Sequence, residues 1–63
     1  MLLVSKGDRV RIKSHTDPSG RQWGGQTAVI VEVRVEHVVV IVDGEDGLYT
    51  FHKRNVEIAD RDD

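Results

Sequence analysis

Apolar and polar side chains alternate within residues 8–14, with Val10 and Ile12 set against Arg9, Arg11 and Lys13. A period of two is the repeat of a pleated strand with one buried face. This segment is therefore expected to be a half-buried β-strand that points its three cations outward. Residues 16–20, Thr-Asp-Pro-Ser-Gly, gather turn formers. Proline presets φ, glycine supplies positive φ, and aspartate and serine bond their own backbone, so a long exposed loop is expected from about residue 15 to residue 25. Alternation resumes over residues 27–35, where Val29, Val31, Val33 and Val35 share one side and Ile30, Glu32 and Arg34 the other. The valine side is the expected interior. A two-residue hairpin loop at Glu36 and His37 pairs Val35 with Val38, Val33 with Val40 and Val31 with Val42, so that each valine faces another. Glu-His lacks the positive-φ residues that tight hairpins prefer, which leaves a longer loop open.

Residues 43–47 hold two glycines and three acids, and mark the next turn. A four-residue loop over 44–47 sets Val42 opposite Tyr49 and Val40 opposite Phe51, and sends both aromatics into the core. A five-residue loop buries Leu48 and Thr50 instead. The first is preferred because it removes more apolar surface from water. Residues 52–55 read as one short helical or 3₁₀ turn, and residues 56–58 as a last strand with Val56 and Ile58 inward. The chain divides into a barrel domain over 1–59 and a frayed acidic tail over 60–63.

Composition strengthens the strand reading. Valine and isoleucine number 15 against 5 for alanine and leucine, and branching at Cβ suits a pleated surface better than a helical turn. With 63 residues the core is thin, and a deep substrate cavity is not expected. The absence of cysteine removes disulfides, thiol nucleophiles and thiolate metal sites. No apolar run approaches a membrane span and residues 1–4 are too short for a signal sequence, so a cytoplasmic protein is expected.

Charge is unevenly divided, with a net of +3 over residues 1–27 and −5 over residues 28–63. Arg9, Arg11 and Lys13 at spacing two form a row suited to a phosphate backbone, and Arg21, Lys53 and Arg54 extend it. Trp23 is the single tryptophan, and it either stands exposed for stacking or for a protein ligand, or folds back over an open end of the core. Ile30, Val39 and Ile41 fall on the face away from the core. There they mark an interface with a protein partner or a second copy, unless residues 1–4 fold across them. His15, His37 and His52 lack ligand spacing, and Asp43, Glu45 and Asp46 lack the further acid a calcium loop needs. No metal site, cofactor or small-molecule substrate is expected. No nucleophile with its base, and no phosphate-cradling glycine loop, is found.

Lys6-Gly7-Asp8-Arg9-Val10-Arg11-Ile12, Gly24-Gly25 before Ala28-Val29, Val40-Ile41-Val42-Asp43-Gly44 and Arg54-Asn55-Val56-Glu57-Ile58 resemble the SH3-like small barrel. That resemblance implies five strands, a long first loop and a one-turn 3₁₀ helix before the last strand. The opening, with Trp23-Gly24-Gly25-Gln26, is similar to the type II dihydrofolate reductases, tetrameric barrels around one pore. The Val-Gln-Ile-Tyr tract that lines that pore is replaced here by Leu48-Tyr49-Thr50-Phe51, so the reductase activity is not carried over. The glycine-punctuated start also resembles KOW domains, which bind RNA or protein. The Val-Ile-Val segment and the Asn-Val-Glu ending are similar to the PsaE-like subunits of photosystem I, which dock other proteins. The expectation is a non-enzymatic barrel that binds a protein through Trp23, Ile30, Val39 and Ile41. The alternative is a weak nucleic-acid binder that uses the six cations.

Overall fold

The computed structural model describes residues 4–13 and 16–59. Five antiparallel strands form one sheet: β1 Arg9–Ile12, β2 Thr27–Val33, β3 His37–Val42, β4 Tyr49–His52 and β5 Val56–Ile58. A 3₁₀ turn, Lys53–Asn55, stands before the last strand. The sheet order is β4-β3-β2-β1-β5, so β4 and β5 are its two edges. The chain is all-β, as expected, and none of the helices among the described residues is long and apolar enough to cross a membrane. The expected frayed tail 60–63 lies outside the described residues, and of the cover expected from residues 1–4 only Val4 is described, where it packs against the core.

β1 follows its alternation: Val10 and Ile12 are fully buried while Arg9 and Arg11 are exposed. It lies between β2 and β5, pairing Val10 with both Ala28 and Ile58. Val56 is buried and Ile58 packs against the same core, so the last strand keeps its expected parity. The 3₁₀ turn links the two edges of the sheet. Lys53 N–H donates to Glu36 O at its start (2.9 Å), and Lys13 N–H donates to Asn55 O at its end (2.8 Å).

β2 departs from the expected parity. Ala28 and Ile30 enter the core, Val29 and Val31 are half-buried outside it, and Val33 and Val35 are 37% and 90% exposed. The hairpin moves first and the reversal follows at one point below it. The hairpin turns at Val35 and Glu36, one residue earlier than expected, with Arg34 N–H donating to His37 O (2.8 Å) and Val33 opposite Val38. That moves the register by two and leaves Val33 on the side of Val38; the reversal comes from a β-bulge that separates Ile30↔Val40 from Glu32↔Val39, with Val31 as the extra residue. Below the bulge Ala28 meets Val42, where Val31 was expected. Thus Val40 and Val42 are interior as expected, whereas Val31 and Val33 are not. Inward placement favours Ile30 physically, because it buries a larger side chain than either neighbouring valine. Its backbone is held at the same time, by Gly7 N–H to Ile30 O (2.7 Å) and Ile30 N–H to Asp8 O (3.0 Å).

The β3–β4 connection is two residues longer than the preferred four-residue loop, with Val40 opposite Tyr49 and Val38 opposite Phe51. A shift of two conserves parity, so Phe51 is buried and Tyr49 packs against the core. The extra length arises because Val42 and Asp43 stay with β2, through Val42↔Ala28 and Asp43 N–H to Thr27 O (2.9 Å). Gly44, at φ 85°, lets the chain reverse there in a conformation that a side chain would strain.

Candidate functional site

Three surfaces gather the residues singled out by the sequence. The first is the loop between β1 and β2. Asp17 is its organiser: its Oδ1 accepts from Ser19 N (3.0 Å), Ser19 Oγ (2.6 Å) and Arg21 N (3.0 Å), and its Oδ2 accepts from Trp23 Nε1 (3.0 Å). Gly20, at φ 93°, closes the turn by donating N–H to Asp17 O (2.8 Å). The Ser19 hydroxyl first, and then the indole N–H, hold the Asp17 carboxyl far below the usual carboxylate range. Trp23 is 2% exposed and packs against Tyr49 (4.9 Å between ring centroids) and edge-on against Phe51 (5.3 Å). The Arg21 guanidinium lies 4.0 Å over the indole and pairs with Glu45 on the β3–β4 loop. That Glu45 hydrogen bond raises the pKa of Arg21 further. Trp23 is thus the plug of the core, and the exposed-ring expectation is corrected. The loop's polar groups are spent on keeping the indole inside, which leaves no face of the ring for a ligand.

The second surface is the outer face of β2 and β3. Ile30, expected here, belongs to the core for the reasons given above. The bulge puts Val29 in its place, opposite Ile41, and leaves Val31 half-buried and outside the core cluster. Val29 and Ile41 stand directly opposite one another, and Val39 lies between Glu32 on β2 and Thr50 on β4. Ile41 is 44% exposed, whereas Val39 is buried although it is not part of the core cluster. The greasy outer face is therefore present with changed membership. Val29 and Val31 were missed because no hydropathy signal distinguishes the two parities of β2.

The third surface is the expected cationic row. Arg9 pairs with Asp43 (2.7 Å), Arg11 with Glu57 (3.7 Å) and Arg21 with Glu45. Asp43 also accepts from the Thr27 hydroxyl. Three of the six cations therefore have their charge compensated. Lys13, Lys53 and Arg54, gathered about the 3₁₀ turn, have no acidic partner among the described residues. His37 and His52 face each other across β3 and β4 (5.1 Å between centroids), and His52 Nδ1 accepts from Arg54 N (3.1 Å) as the cap of the turn. Among the described residues no group of three or more His, Asp or Glu is placed to hold a metal ion.

Comparison of the chain with protein-family models, with curated proteins and with solved structures finds no match.

Proposed function

We propose that this chain is a non-enzymatic, SH3-like small barrel that serves as a protein-interaction or accessory subunit. Its contact surface is the outer face of β2 and β3. The observation that carries the reading is the Val29↔Ile41 pair, an aliphatic pair outside the core with Ile41 44% exposed and Val39 two residues away on the same side of β3. A small sheet normally points polar residues to water on the face away from its core, and clustered aliphatics there are the usual mark of a contact surface. A polyanion-binding reading would rest on Lys13, Lys53 and Arg54 alone.

Ile41→Asp tests the proposal. Ile41 is exposed and outside the core, so the variant should fold with a thermal midpoint close to that of the parent. Polypeptides retained from a native lysate by the immobilised parent should be lost on the variant. Identical retention profiles for the two would overturn the proposal.

A further inference from the structure

The two sheet edges are guarded differently. β5 is three residues long and presents Glu57, which is engaged by Arg11. A short, charged edge of that kind resists further pairing. β4 reads Tyr-Thr-Phe-His and follows Leu48, which is 63% exposed, so residues 48–52 contain no proline and no Asp, Glu, Lys or Arg.

Hydrogen-bond alternation determines which main-chain groups on this edge are open. Lys53 N–H donates to Glu36 O in the register that pairs Phe51 with Val38 and Tyr49 with Val40. In an antiparallel ladder the bonded pairs recur every second residue. Tyr49 and Phe51 therefore spend their main-chain groups on β3, and Thr50 and His52 aim theirs at the edge. Among the described residues no main-chain partner lies there for Thr50.

We infer that β4 pairs antiparallel with β4 of a second copy of this chain, about a two-fold axis at Thr50. That axis puts Thr50 opposite the second copy's Thr50 and Leu48 opposite its His52, so the outward-facing main-chain groups of both edges meet. The flanking charges select the same arrangement. Glu45 and Asp46 precede β4, and Lys53 and Arg54 follow it. Antiparallel pairing sets the acidic end of one strand beside the basic end of the other, with Asp46 facing the second copy's Arg54, whereas parallel pairing would set like charges together. Neither Asp46 nor Arg54 has an ion-pair partner among the described residues. Leu48 and Thr50 lie on the same side of the sheet as Val39, so pairing joins two outer faces into one apolar surface. The inference concerns the edge of the sheet and stands apart from the face proposed above.

Sedimentation velocity on the full chain, from micromolar to millimolar concentration, tests it. The weight-average mass should rise from 7.1 kDa toward that of a dimer. Thr50→Pro removes an N–H that faces the edge and not β3, a position at which strands tolerate proline. This variant should stay monomeric with its circular dichroism retained. Asp46→Arg and Arg54→Asp should each weaken dimerisation by about tenfold, and the double exchange should restore it. The charge exchange also decides the question if Thr50→Pro fails to fold. Ile41→Asp should leave dimerisation unchanged. A parent that is monomeric at millimolar concentration would overturn the inference. So would single charge variants that associate like the parent, or association abolished by Ile41→Asp but not by Thr50→Pro.

Discussion

Ile30 changes face between the bulged and the unbroken versions of β2, and Val33 changes from a deep position opposite Val40 to the end of the sheet opposite Val38, so truncating each separates the two. Ile30 is 1% exposed, opposite Val40, with both of its main-chain groups engaged by residues 7 and 8. Ile30→Ala leaves a cavity that the pinned backbone cannot close, at a cost of about 2–5 kcal/mol. Val33 lies at the open end of the sheet, and Val33→Ala should cost less than about 1 kcal/mol. A chain of 63 residues has about 3–9 kcal/mol of total stability, so Ile30→Ala stands at the edge of unfolding. Ile30→Val is the graded companion, expected at about 0.5–1.5 kcal/mol, and each kcal/mol corresponds to roughly 4–8 °C in Tm for a domain of this size. The assay is urea and thermal unfolding followed by fluorescence of the single tryptophan, Trp23, whose burial makes its emission a reporter of the core. If Val33→Ala costs as much as Ile30→Ala, the bulged register is wrong.

Trp23→Phe keeps an aromatic plug but removes the Nε1 donor to Asp17 and part of the contact with Arg21. It should destabilise by about 1.5–3 kcal/mol, measured as a shift of the urea midpoint in far-ultraviolet circular dichroism. The Asp17 carboxyl is held below its unfolded value, so its contribution is fully present above about pH 5 and is lost as the pH falls through 4 and below. Asp17→Asn should accordingly destabilise at pH 7 and flatten the decline between pH 5 and pH 2, as read from urea midpoints across that range. An unchanged slope would show that Asp17 does not anchor the loop.

The sequence was most legible where only one parity of a segment is apolar. In β1 the residues opposite Val10 and Ile12 are all cations, and no other orientation can be stable. The last strand has only Glu57 to place outward, and the 3₁₀ turn before it falls where the break in alternation puts it. β2 is apolar on both parities from Ala28 to Val31, so hydropathy cannot choose a face, and the bulge at Val31 decides it. Trp23 was ambiguous for a related reason. The residues around it supply both the cation of an exposed site and the carboxylate of a lock, and only the reach from Asp17 Oδ2 to Nε1 distinguishes them. Of the outer face, Val39 and Ile41 were legible because β3 keeps its parity through both registers.

The bulge also makes one side chain dispensable to the interior. With Val31 excised, residues 28–33 would run Ala-Val-Ile-Glu-Val, an uninterrupted in-and-out sequence carrying the same core residues into the same hairpin. The strand therefore carries a spare position, one that can be gained or lost without disturbing the packing beneath it while the outer surface changes by one aliphatic group. Shortening this strand by a residue would reshape what the molecule shows to others and leave its centre as it was.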